Sequence, residues 1–131
     1  MSTDTPPASE SKVLLWVGRV LSTLPVLGLV MSAVMKLMNG PDIAKEFARL
    51  GYDPQVAIKL GIVELVCTVL YVIPQTAVLG AVLLTGYLGG AVATHVRIGE
   101  SFIPPVVVGV LLWGGLVLRE TRLRSLLPWR Q

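Results

Sequence analysis

The run PQVAIKLGIVELVCTVLYVIPQTAVLGAVLLTGYLGGAVATHV, residues 54–96, decides the fold of this chain. It holds two apolar stretches, 54–73 and 75–96, separated where Pro74 breaks any continuing helix. At 1.5 Å per residue a hydrocarbon core of ~30 Å needs about 20 apolar residues, which each stretch supplies. Two further apolar runs flank them, 13–38 and 103–118. The boundaries have local causes: Asp53 is placed to cap the second helix with Pro54 in its first position, and Pro104 and Pro105 start the fourth. The last run would extend only about 24 Å as a helix, so it must thin the bilayer, extend into residues 119–122, or be partly re-entrant.

Composition agrees with this pattern. Of 131 residues 53% are hydrophobic and 15% charged, where soluble domains carry about a quarter charged residues. With a mean hydropathy of +0.74, this argues against a soluble enzyme and for one membrane module. The net charge of +3, with four arginines in the last 13 residues, suits an anionic lipid leaflet, and no basic stripe interleaved with aromatics suggests nucleic acid. Cys67 is the only cysteine, which excludes an intramolecular disulfide, a CxxC relay or a cysteine zinc site within one chain.

Residues 1–12, polar and proline-containing, read as a flexible tail, and 13–131 as a single membrane domain with a basic C-terminal tail. The tail leads into a stretch of spanning length, so the first span reads as a retained anchor and not a signal peptide. Between the first two spans, Asn39, Gly40 and Pro41 turn the chain. Ile43, Phe47 and Leu50 then repeat at helical spacing before Gly51 offers a C-cap, which predicts a short amphipathic helix at the interface, with Tyr52 as an anchor. The expected fold is all-α: a polytopic membrane protein, a four-transmembrane-helix bundle with a short amphipathic helix between helices 1 and 2. Both termini then share one side, and Lys12, Arg119, Arg122, Arg124 and Arg130 favour the cytoplasm for it, although Lys45, Arg49 and Arg97 sit in the opposing loops.

Ionisable groups inside a bilayer cost ~2.5–3.5 kcal/mol or more at its centre, so they persist only when paired, hydrated or used. Arg19 lies early in the first span and reads as a snorkelling anchor. Lys36, Glu64, His95 and Arg97 converge on the other leaflet, because successive spans alternate in direction. One face of the first span carries Pro25, Gly28, Ser32 and Lys36, and one face of the second carries Gly61, Glu64, Thr68 and Tyr71. Gly86 and Gly90 with Thr94 form a small-xxx-small row, and with Gly89 they read as helix-packing glycines beside Tyr87 and His95. Lys36 with Glu64 is either a structural ion pair or part of a ligand or proton site. His95 with one carboxylate is a poor metal signature, and reads better as a proton carrier or a donor to a carbonyl. Arg97 reads as an interfacial anchor or a ligand clamp, and Trp113 as a flat-ligand platform or a packing residue.

The segments SAVMKL (32–37), LGY (50–52), GIVEL (61–65) and TGYLGGAVATHVR (85–97), with LRE (118–120) and LLP (126–128), resemble the DoxX-like family of small four-helix membrane proteins. The resemblance implies a bacterial inner-membrane protein and carries over Lys36, Glu64, His95 and Arg97 as the family's polar cluster. It also implies company: the family name comes from a membrane subunit tied to thiosulfate oxidation through quinone, and distant relatives act as membrane chaperones or cargo receptors.

The candidate ligand-binding set is therefore Lys36, Glu64, His95, Arg97, Tyr87 and Trp113, with no catalytic and no metal residue. The leading expectation is an accessory membrane protein holding a lipid-soluble molecule, a quinone being the candidate cofactor. The alternatives are an interaction or chaperone-like protein recruiting a membrane partner, or a homo-oligomer acting as a proton-coupled transporter. No redox centre or catalytic motif points to an autonomous enzyme.

Overall fold

The computed structural model describes residues 8–120 and Leu123. Among these there are five α-helices and no strand: α1 Ala8–Met38, α2 Pro41–Arg49, α3 Val56–Val72, α4 Ala77–Arg97 and α5 Ile103–Arg119, with a 3₁₀ turn Pro74–Thr76 between α3 and α4. The first residues of the expected tail, the basic residues Arg122, Arg124 and Arg130, and the LLP segment at 126–128 lie outside the described residues. Two helical stretches, Lys12–Met38 and Pro74–Arg97, are long and apolar enough to cross a membrane. The helices α3 and α5 have 17 residues each.

Two boundaries differ from expectation. α1 begins at Ala8, inside the segment read as a tail, since Ala8, Glu10 and Lys12 are helix formers that extend the apolar helix outward. α3 begins at Val56, because the Asp53 carboxylate accepts from the Gln55 amide at 2.9 Å and holds a local turn instead of capping a helix begun at Pro54.

The four long helices close a ring in which α1 packs on α3 and α5, and α4 on the same two. Each contributes a stripe at helical spacing. On α1 it is Gly18, Ser22, Pro25, Leu29 and Ala33, so the inward face is rotated from the expected one: Gly28 points outward, and Ser32 and Lys36 lie at its edge. On α3 the inward face is Gly61, Glu64, Thr68 and Tyr71, as the periodicity predicts. The outward faces are apolar, with Trp16 62% exposed and Met31 67% exposed, and with Ile62, Val66 and Val110 similarly open. A surface of this kind is foreign to soluble monomers.

Close helix approach is set by glycines other than those expected. A methyl group at Gly115 would collide with the Ser22 hydroxyl and lie 2.9 Å from the Gly18 carbonyl oxygen, so α1 and α5 cross backbone to backbone. At Gly61 it would sit 3.0 Å from Lys36 Cβ, and at Gly80 it would strike the Tyr71 backbone. Gly86, Gly89 and Gly90 have nothing within 4 Å of such a group, so among the described residues they do not serve helix packing. The spacing looks the same whether a glycine row meets a neighbouring helix or faces open space.

Gly115→Val is therefore expected to force α1 and α5 apart at a cost of about 1–3 kcal/mol. Gly90→Ala should be neutral or stabilise by about 0.5–1 kcal/mol through helix propensity. Thermal unfolding of the two variants in detergent micelles checks the ordering, and equal melting temperatures would contradict it.

Candidate functional site

Glu64 is only 1% exposed, eight residues into α3, and its charge is met from two other helices. Lys36 of α1 donates to Glu64 Oε1 at 2.9 Å and to Ser32 Oγ at 2.5 Å. Ser32 Oγ in turn donates to the same carboxylate oxygen at 3.3 Å, and the Tyr87 hydroxyl of α4 donates to it at 3.2 Å. Gly61 makes this geometry possible, because only a residue without a side chain lets the stem of Lys36 lie so close to α3. The ammonium also lies 5.9 Å from the Tyr87 ring centroid.

In front of this pair is a cavity of about 520 Å³ walled by α1, α2 and α4, with Leu60 of α3. Lys36, Tyr87 and His95 line it together with Ser32, Thr94, Phe47 and Leu60, while Glu64 stands behind the wall they form. Gly86 and Gly90 form part of the α4 wall, so the open space beside them is this cavity. His95 Nδ1 is 2.7 Å from the Ala91 carbonyl oxygen. A carbonyl only accepts, so Nδ1 carries the proton and, in the neutral ring, Nε2 is an acceptor. As a donor to a bound molecule His95 must therefore be an imidazolium, which narrows the role expected from the sequence.

Two of the sequence candidates lie elsewhere. Arg97 does not line the cavity: its guanidinium donates to the Leu50 carbonyl and lies 5.7 Å from the Tyr52 ring centroid. Trp113 donates from Nε1 to Thr85 Oγ1 at 2.7 Å and lines a separate apolar groove between α4 and α5, together with Gly89.

The α2 lid has its own construction. The Tyr52 amide donates to the Phe47 carbonyl at 2.8 Å and the Gly51 amide to the Ala48 carbonyl at 3.0 Å, with Gly51 at φ 88°. This paired ending needs a residue that tolerates left-handed backbone, and it brings the rings of Phe47 and Tyr52 to 6.2 Å. Phe47 is buried under the lid. Arg97 completes the C-terminal turn from α4, the Tyr52 hydroxyl bonds Thr94 Oγ1 at 2.9 Å, and Arg49 reaches both Glu46 and Glu100. The sequence signal for these ties is weak, since each joins residues far apart in the chain.

Among the described residues no group of three or more His, Cys, Asp or Glu side chains could hold a metal ion. Apolar outward faces, two helices of spanning length and a carboxylate enclosed by the ring point to a helical membrane protein. The chain belongs to the DoxX-like family, whose model matches residues 20–115 and so takes in Lys36, Glu64, Tyr87, His95, Arg97 and Trp113. No protein of curated function and no solved structure matches it.

Lys36→Met leaves the Glu64 charge enclosed without its counter-ion and should cost about 3–5 kcal/mol, whereas Lys36→Met with Glu64→Leu should cost less than the single change. A double-mutant cycle by thermal unfolding measures this, and additive losses would refute the coupling. At the lid, hydrogen bonds from Arg49 hold Glu46 below its ordinary value of 4.5, outweighing the opposing effect of slight burial. A carboxyl depressed in the folded state stabilises above its unfolded value and loses that contribution as pH falls through the folded one. The melting-temperature gap between wild type and Glu46→Gln should be small, present near pH 6, and closed on acidification to about pH 3.

Proposed function

We propose that this DoxX-like protein is a four-span accessory protein of the bacterial inner membrane, with cytoplasmic termini, whose cavity holds a lipid-soluble molecule by its polar end. Support for four spans comes from the exposed apolar faces of α3 and α5, which carry Ile58, Ile62 and Val66, and Val106, Val107 and Val110. Helices that are short by a few residues are accommodated by local bilayer thinning at modest cost.

The observation that carries the reading is the cavity of about 520 Å³ with Lys36, Tyr87 and His95 in an otherwise mainly apolar lining. A small number of placed polar groups in an apolar pocket fixes orientation, while the apolar walls supply affinity. The hydrogen-bond count narrows the ligand. Lys36 has three protons and gives two of them to Ser32 and Glu64, so one remains. Tyr87 gives its proton to Glu64 and keeps an accepting oxygen, and neutral His95 offers Nε2 as an acceptor. These three side chains thus present one donor and two acceptors, while the Glu46 carboxylate, also on the lining, accepts from Arg49. A quinone ring has only acceptors and satisfies Lys36 alone, whereas a quinol or another phenol also donates to His95 or Tyr87. The reduced form is the better fit, and the chain's own residues would orient it and exclude water from its ring.

Native mass spectrometry of protein released from lipid nanodiscs tests this. A small-molecule adduct is expected in wild type, weakened in His95→Ala, and absent in Gly90→Leu, whose side chain fills the cavity at a position free of packing constraint. Added ubiquinol should be retained more than ubiquinone. Folded protein that carries no adduct and binds neither ring would shift the reading to an interaction or chaperone-like role, with the α2 lid recruiting a membrane partner.

A further inference from the structure

At the opposite end of the ring from the Lys36 cavity, Arg119 closes α5 beside the last turn of α3. Its Nε and Nη2 are buried and have no hydrogen-bond partner among the described residues. The guanidinium lies 5.1 Å from the Tyr71 ring centroid, and a side chain at Gly18 would strike the Arg119 stem, so ring and glycine together fix where the group sits. Nε–H and Nη2–H form one edge of the guanidinium, a parallel two-donor fork matched to two oxygens of an oxoanion.

A cavity of about 200 Å³ lies against this fork, lined by Arg19, Ser22, Thr23, Tyr71 and Arg119. Its hydroxyl protons are already committed. Thr23 donates to the Arg19 carbonyl at 2.6 Å, and Tyr71 to the Leu112 carbonyl at 2.5 Å. Ser22 is therefore left to donate to the Tyr71 oxygen at 3.0 Å. The unspent donors are the two guanidinium groups. Among the described residues neither arginine has an ion-pair partner. Buried N–H donors of a cation without acceptors are costly, and two uncompensated positive charges at one cavity favour an anion.

We propose that Arg19 and Arg119 form a binding site for a phosphate group, that of an anionic phospholipid headgroup or free phosphate. The helix ends here place the site where headgroups would lie, and a phosphate spreads its charge over several oxygens, enough for a fork from Arg119 and a second cation from Arg19. The site is independent of the ligand cavity, and both arginines fall just outside the family-matched residues 20–115.

The test uses the full chain in dodecyl maltoside, with binding read by native mass spectrometry and by thermal shift. The probes are phosphatidylglycerol, dioleoylglycerol, which lacks the phosphate, and inorganic phosphate. Phosphatidylglycerol should bind and raise the melting temperature, and dioleoylglycerol should not. Arg19→Gln and Arg119→Lys should each weaken binding about tenfold or more, the second because it keeps the charge and loses the fork. Lys45→Gln, on the lid at the other end, should bind as wild type does. Arg19 is exposed, so its variant keeps the test valid should the Arg119 variant fail to fold. Arginine-dependent stabilisation by inorganic phosphate without lipid binding would assign the site to the free anion. Equal binding of every probe to wild type and Arg19→Gln would overturn the proposal.

Discussion

Glu64 is a charge held where almost no solvent reaches it, and three helices are organised around keeping it there. Enclosing a carboxylate without partners costs several kcal/mol even after relaxation. The protein meets that cost with three donors on one oxygen, Lys36 and Ser32 from α1 and Tyr87 from α4. These bonds require α1 to approach α3 to the distance that Gly61 permits, and they fix the rotation of α4 through Tyr87. A buried ion pair contributes little net stability compared with apolar packing. Its larger effect here is register, because a one-residue slip of α1 would leave both charges unmatched.

The same arrangement governs the cavity. With Glu64 behind its wall, the Lys36 ammonium faces the cavity already neutralised from the rear, and the Glu46 carboxylate on the lid is paired with Arg49. A ligand there meets a hydrogen-bond donor of moderated charge and apolar surface, conditions suited to a neutral ring with a long apolar tail. The far end of the ring has the opposite character, since Arg19 and Arg119 face their cavity with no carboxylate among the described residues that line it. The chain therefore carries two chemically distinct recesses, one mainly apolar with a paired ammonium and one lined by two arginines, separated by the packed core around Leu84, Leu112 and Leu116.

Much of this is legible in the sequence where a feature depends on residues close in the chain. The break at Pro74, the amphipathic α2 and its ending at Gly51 are local, and the structure has them. The convergence of Lys36 and Glu64 is legible for a different reason: alternating spans and the lean of helical side chains bring opposite charges to one depth. What depends on rotation about a helix axis is not legible. Gly28 was expected inward and points out, and the α4 glycines match a packing motif yet face open space. Arg97 likewise looks like an interfacial anchor in sequence, and only the folded chain supplies its partner, the Leu50 carbonyl.

The α4 glycines then need a reason other than helix contact. Each lowers helix propensity by about 1 kcal/mol relative to alanine. In exchange Gly61 and Gly115 permit close contact between neighbouring helices, but a methyl group at Gly86 or Gly90 would touch nothing among the described residues. What they do provide is volume: they lie on the cavity wall next to Tyr87 and Ala91, where larger side chains would occupy the space between α4 and the lid. Two helix-weakening residues one turn apart, both on the wall and beside the polar groups, are what a helix shaped around an occupant requires. The lid obeys the same logic, since Arg97, Tyr52 and Arg49 hold its polar rim while its apolar side, Phe47 and Ile43, faces the cavity. A bundle stabilised only by its ion pair would need neither the recess nor the tethered cover, and that favours binding over a purely structural role for this polar cluster.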